Sequence, residues 1–212
     1  ITVEDARDAL VTNNIDINKI ENIPSKTIFA SSSPRRLAYL KLYRPDINTK
    51  DLRGNIATRL KKIHDKDDYA TILALAGIVR LGIKNQYISP IPFQKILPAP
   101  GQGVIALTHR KDNLIARNIC RLIDHKKTKI RVLAERSLVS RINGDCNTPL
   151  SALAEVNSNK IYLKARLFSS DGNFHVDAEC DGFIKDAEKI GINCAKSLLK
   201  KSMSLFTIEK NK

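Results

Sequence analysis

Between residues 27 and 81, short apolar runs alternate with segments of helical periodicity, and that alternation constrains the fold more than any other feature. Residues 27–31 read as a strand. Ser32-Ser33-Pro34 then opens a helix carrying Leu37, Leu40 and Leu42, with serine as the cap and proline as the first helical residue. Asn55 repeats the device ahead of Ile56, Leu60 and Ile63. Residues 69–74 are a second buried strand, followed by Gly77 and a short helix through Arg80 and Leu81. Strand and helix in turn predict an α/β layer with a largely parallel sheet.

Ser89-Pro90-Ile91-Pro92 and Leu97-Pro98-Ala99-Pro100-Gly101 are expected to interrupt regular structure and to mark a crossing between lobes. Beyond them, residues 104–107 predict a buried strand, and residues 113–123 and 129–142 predict helices. The texture then changes. Residues 152–156, 161–168 and 174–180 alternate apolar with polar side chains, Ser170-Asp171-Gly172-Asn173 reads as a hairpin turn, and residues 186–199 are helical. The last third is therefore expected to be a small antiparallel sheet covered by helices.

With 42% hydrophobic residues, the 212-residue chain can fill buried cores, and no apolar run is long enough to span a bilayer. Lysine and arginine exceed aspartate and glutamate by 14 charges. That excess attracts polyanions, from nucleic acid to small polycarboxylates, and its sign does not choose among them. Lysine pairs such as Lys61-Lys62, Lys126-Lys127 and Lys200-Lys201 read as solvated helix faces. Cysteines 120, 146, 180 and 194 form no CxxC pair and no metal-ligand spacing with the four histidines, so no metal is expected. Free thiols in a reducing cytoplasm are the default. Cys120 and Cys194 read as small core residues on helices, whereas Cys146 lies in a glycine-containing loop.

Arginine placement is more informative than the total. Ser31-Ser32-Ser33-Pro34-Arg35-Arg36 brings two guanidinium forks to a helix N-terminus, where backbone N–H groups and the helix dipole already favour an anion. Arg53 precedes the next helix beside Gly54, Arg59 lies one turn inside it, and Arg80 ends the third. Open α/β sheets place their ligand crevice at such strand-to-helix junctions. Planar guanidinium forks match carboxylates two oxygens at a time, so a ligand with several carboxylates is expected. Aromatic interleaving for base stacking is missing from this segment.

Five motifs in order carry a resemblance: Ser31-Ser32-Ser33-Pro34-Arg35-Arg36, Leu52-Arg53-Gly54-Asn55-Ile56-Ala57-Thr58-Arg59-Leu60, Leu73-Ala74-Leu75-Ala76-Gly77-Ile78-Val79-Arg80-Leu81, Leu97-Pro98-Ala99-Pro100-Gly101-Gln102-Gly103 and Gly144-Asp145-Cys146-Asn147-Thr148-Pro149. Together they resemble the porphobilinogen deaminase (hydroxymethylbilane synthase) family, a group of transferases of tetrapyrrole and heme biosynthesis. The resemblance implies stepwise, deaminative condensation of four porphobilinogen molecules on a covalent dipyrromethane primer. Cys146 would carry that primer as a thioether. It would be bound by Ser32, Ser33, Arg35, Arg36, Arg59, Gln102 and Gly103, while Arg53, Arg59 and Arg80 would bind substrate acid groups. The implied partners are porphobilinogen and the growing polypyrrole chain, without nucleic acid or membrane, for a cytoplasmic monomer.

By the same resemblance, residues 1–7 would be the end of domain 1 and a hinge. Residues 8–98 would be domain 2, an α/β domain like a lobe of periplasmic solute-binding proteins. Residues 99–123 would return to domain 1, and residues 124–212 would be domain 3, an α+β domain with the cysteine loop. The chain begins at Ile1, and the family's His-Ser-x-Lys-Asp motif, which holds its catalytic aspartate, does not occur in it. A fragment lacking part of domain 1, inactive alone, is therefore expected, and no catalytic residue is assigned. Asp5 and Asp8 are read as hinge residues. Asp145, beside the cysteine, departs from the small residue common there and is expected to disfavour the thiolate. The alternative is a non-catalytic polycarboxylate-binding module.

Overall fold

The computed structural model describes residues 2–66, 68–85 and 87–209. Its first unit runs through strand β1 (Asp8–Val11), β2 (Ile28–Ala30), helix α1 (Pro34–Tyr43), β3 (Asn48–Lys50), α2 (Ile56–His64), β4 (Tyr69–Ala74), α3 (Leu75–Arg80) and β5 (Ile88–Pro90). Local chemistry starts the helices where the sequence places them. Ser33 Oγ accepts from the Arg36 N–H (3.5 Å) with Pro34 behind it, and Asn55 Oδ1 accepts from the Thr58 N–H at 2.8 Å. Gly54, at φ +123°, makes the turn into α2.

The strands order β3-β2-β4-β1-β5. Strands β2, β3 and β4 are parallel, as the alternation predicts, but β1 lies antiparallel between β4 and β5. The sheet is thus mixed. One consequence matters for the site: Asp8, the first residue of β1, pairs with Ala74, the last residue of β4, and so sits at the carboxyl ends of the parallel strands. The first proline cluster does not stop regular structure, because Ile88–Pro90 forms an edge strand, where a missing N–H is tolerated.

Both faces of the sheet are covered. Leu10, Phe29, Ala70 and Ile72 pack under Ala38, Tyr39 and Leu40 of α1, while Ala9, Val11, Ala30 and Leu73 meet Leu60 and Ile63 of α2 and Leu75 and Ile78 of α3. Neighbouring residues of one strand facing opposite layers is the period-two signature.

Helix α4 (Leu114–Ile123) lies in the segment between the units, and the second unit comprises α5 (Lys126–Ile142), β6 (Leu150–Asn157), β7 (Lys160–Phe168), β8 (His175–Phe183) and α6 (Ala187–Glu209). Its antiparallel β6-β7-β8 sheet buries Ala152, Ile161, Leu163 and Ala165 against Ala134 and Leu138 of α5 and Ile190, Cys194 and Leu198 of α6. Gly191 lets the two helices meet, since a Cβ there would stand 2.2 Å from Ala134 O. The units interlock. Phe168 enters the core beneath α1, edge-on to Tyr39 at 4.8 Å, and Lys41 Nζ donates to Asp171 O at 3.0 Å.

Two expectations fail in the segment between the units. Residues 104–107 form no strand, because no described segment runs alongside to bond them, and Ile105 and Leu107 are exposed. Helix α4 has the expected position, yet none of its residues is buried, and Leu122 is 86% exposed. Cys120 on α4 is consequently half-exposed and not a core residue, whereas Cys194 is buried as expected.

Candidate functional site

At the carboxyl ends of the parallel strands, Asp8 is fully buried between two arginines. Arg36 Nη2 donates to Asp8 Oδ1 at 2.8 Å, and Arg35 Nη2 stands 2.7 Å from Oδ2. The Arg35 contact is a close ion pair off the axis of a hydrogen bond, so Oδ2 keeps no aligned donor. Burial pushes the Asp8 carboxyl up, but the two guanidinium charges, with the Arg36 hydrogen bonds, outweigh it and hold the group below its ordinary value. Sequence reasoning set Asp8 aside as a hinge residue. Its apolar neighbours Ala9-Leu10-Val11, which head a strand buried on both faces, were the available signal.

This changes the role of the arginine pair. Arg35 and Arg36 are 4% and 8% exposed, so they form a buried wall behind the strand ends and are not free forks on the surface. Arg35 Nη1 also donates to Leu97 O at 2.8 Å. Burial lowers Arg36 against the attraction of Asp8, with smaller repulsions from Arg35 and Arg59 adding to the fall. The half-exposed Arg59 spends its Nε on Gly54 O at 2.7 Å. Arg53 stands apart, exposed, with Asp51 at 3.6 Å across solvent. Arg80, also exposed, donates from Nη2 to Gly103 O at 2.6 Å.

The remaining predicted residues are largely occupied by the scaffold. Ser32 Oγ donates to Leu52 O (3.2 Å) and accepts from the Leu52 N–H (3.1 Å), tying the end of β2 to the Arg53 turn. Ser33 is the α1 cap. Gln102 Nε2 donates to the carbonyls of Ala6 and Arg7 at 2.8 and 3.2 Å and to Asp8 Oδ1 at 3.2 Å. Gly103, at φ +84°, lies so close to Glu4 that a Cβ would stand 2.5 Å from Glu4 O. Gln102 and Gly103 thus bind the two crossing segments together behind the arginines.

Cys146 is exposed in the loop from α5 to β6. Asp145 shapes this loop: Oδ1 accepts from the N–H groups of Asn147 and Thr148 and from Thr148 Oγ1, all at 2.9–3.0 Å. Those hydrogen bonds, led by Thr148, hold the Asp145 carboxyl below its ordinary value. Strand β6, which leaves the loop, is joined to the crossing segment where the Ala152 N–H donates to Pro98 O at 3.0 Å. Pro98 follows Leu97, the acceptor for Arg35. A short bonded path therefore connects the thiol loop to the arginine wall. A cavity of about 420 Å³ lies elsewhere, beside α4 and residues 104–107. Its lining mixes Ile105 and Leu107 with His109, Arg117 and Arg121, and it includes none of Arg35, Arg36, Arg53, Arg59 and Arg80.

The family model for the porphobilinogen deaminase dipyrromethane cofactor binding domain matches residues 1–118, and that for the porphobilinogen deaminase C-terminal domain matches residues 129–200. The chain belongs to the porphobilinogen deaminase family. The family is one of transferases acting in tetrapyrrole synthesis from porphobilinogen, and its dipyrromethane-binding domain spans the arginine wall described above. The residues present fit that cofactor chemically. An exposed thiol on a braced loop can form a thioether, and Arg53, Arg59 and Arg80 carry exposed or half-exposed guanidinium groups, the donor type that carboxylates pair with. No helix among the described residues is long and apolar enough to cross a membrane.

Proposed function

We propose that this chain serves hydroxymethylbilane synthesis, the stepwise condensation of four porphobilinogen molecules with loss of ammonia, and that Cys146 Sγ holds the dipyrromethane primer. When bound, that group supplies the pyrrole α-carbon that is extended. The protein's own contribution is positional and electrostatic. Arg53, Arg59 and Arg80 hold substrate carboxylates. Arg35 and Arg36, fixed by Asp8, set a cationic wall behind the primer together with Ser32, Ser33, Gln102 and Gly103. A fixed wall stabilises acid side chains without reorganising at each addition. No residue here is assigned the proton-transfer role. Residues 8–98 act as the anion-binding domain, 124–212 as the thiol-bearing domain, 1–7 as the end of domain 1 and a hinge, and 99–123 as the returning segment of domain 1.

The observation that carries this reading is the bonded path from the exposed Cys146 loop through Ala152, Pro98 and Leu97 to Arg35. Intact-mass analysis of the protein expressed from its complete gene tests it. A dipyrrole adduct that gives colour with Ehrlich's reagent, and is lost in Cys146→Ser, is expected. Unmodified protein that still binds a small tricarboxylate would instead establish the non-catalytic binding module.

A further inference from the structure

One buried ionisable group outside the arginine wall has partners in both halves of the path just described. Glu135 on α5 is 3% exposed, and its Oε1 accepts from the Ala154 N–H of β6 at 2.8 Å. Its Oε2 accepts from the Gly101 N–H at 2.6 Å, in the segment whose next residue, Gln102, clasps Asp8. Arg131, one turn earlier on α5, donates from Nε to Ala154 O at 2.6 Å and lies 4.0 Å from Glu135. Strand β6 is an edge strand, and here its outward groups are met by α5 and the crossing segment. Arg131 could cover that edge without touching the crossing segment. Glu135 touches both.

We infer that Glu135 is a positioning residue: by taking the Gly101 and Ala154 amides on its two carboxylate oxygens, it fixes the spacing between the arginine wall and the Cys146 thiol. The physical basis is that a carboxylate presents an acceptor oxygen to each of two backbone donors. A glutamine in the same place offers one oxygen and one NH2 group, so one contact becomes donor facing donor. Desolvation of a charged acceptor is costly unless both oxygens are bonded, which makes the two contacts a unit. This inference rests on the reading of the site proposed above, in which acid groups held by the arginines must reach Cys146.

The test is alkylation of Cys146 in the full chain by two reagents, iodoacetamide and an iodoacetamide bearing a tricarballylate group, with the modified peptide quantified by mass. In the wild type the tricarboxylate reagent is expected to react at least tenfold faster than the neutral one, because the arginines gather it next to the thiol. In Glu135→Gln that ratio is expected to fall at least fivefold with the neutral rate unchanged. Arg131→Gln, which loosens the same edge but leaves the Gly101 contact, is expected to keep the ratio. Should Glu135→Gln fail to fold, Glu135→Asp retains the charge but shortens the reach, and the same fall in ratio is expected. A preserved ratio in either folded Glu135 variant, or an equal fall in Arg131→Gln, overturns the inference. A wild-type ratio near one overturns the reading of the site, and this inference with it.

Discussion

Each half of the molecule is organised around a buried carboxylate, and the two are treated in opposite ways. In the five-stranded unit, Asp8 lies between two full positive charges and is held below its ordinary value despite complete burial. In the C-terminal unit, Glu135 has two backbone N–H groups and an arginine 4.0 Å away, and burial prevails, pushing it up. The contrast separates two uses of a buried acid. Asp8 is a counter-ion that keeps cations in place, and Glu135 is an acceptor that ties backbone segments together. A buried charge is secured by opposite charge more than by dipoles.

Breaking the Asp8 cluster gives the largest expected effect. Asp8→Ala leaves two guanidinium groups buried with no counter-ion and is expected to cost about 3–5 kcal/mol, measured as a shift in the urea midpoint. If the variant unfolds like the wild type, the cluster is not the electrostatic centre of its unit. Next, Leu138→Ala removes a fully buried side chain from the apolar core of the other unit and is expected to cost about 2–5 kcal/mol by cavity formation. A cost confined to the C-terminal amides in hydrogen exchange would show that the interlock at Phe168 and Tyr39 is weak.

Acidification sharpens the same comparison without mutation. The depressed Asp8 contributes stability that is complete above the ordinary aspartate value of about 3.9 and is lost as pH falls through its lower folded value. The raised Glu135 has the opposite sign: its contribution is complete below the ordinary glutamate value of about 4.3 and is lost as pH rises through its higher folded value. Stability measured against pH is therefore expected to show a shallower acid limb in Asp8→Asn, while an unchanged limb would remove Asp8 from the account. The smallest stability effect belongs to Arg53→Ala, within about 0.5 kcal/mol, because that side chain stands in solvent. The same variant is expected to weaken binding of a tricarboxylate severalfold by calorimetry, and unchanged binding would exclude Arg53 from the anion face.

Much of the framework was legible in the sequence, and the omissions share a cause. Strands β2 and β4, the capped starts of α1 and α2, and the β7-β8 hairpin each carry their own local chemistry. Strands β1, β3 and β5, no longer than β2 by more than one residue, were not assigned from the sequence and form because neighbours in the sheet pair with them. Residues 104–107 have strand composition but lack a neighbour among the described residues, and they stay irregular. Glu135 was readable only as one polar residue on the α5 stripe shared with Arg131 and Leu138.

The sequence by itself determined the residue types of the site, namely arginines and hydroxyls at strand-to-helix turns and a cysteine in a glycine-containing loop. These depend on backbone conformation within a few residues, which local caps, glycines and prolines control. Only the tertiary structure decided which arginines are buried against a carboxylate and which keep their exposure to solvent. That choice rests on Asp8, brought to Arg35 and Arg36 from 27 and 28 positions away in the chain by the reversed direction of β1. Charge pairing in a protein interior depends on distance in space and on exclusion of water, and neither can be read from spacing along the chain.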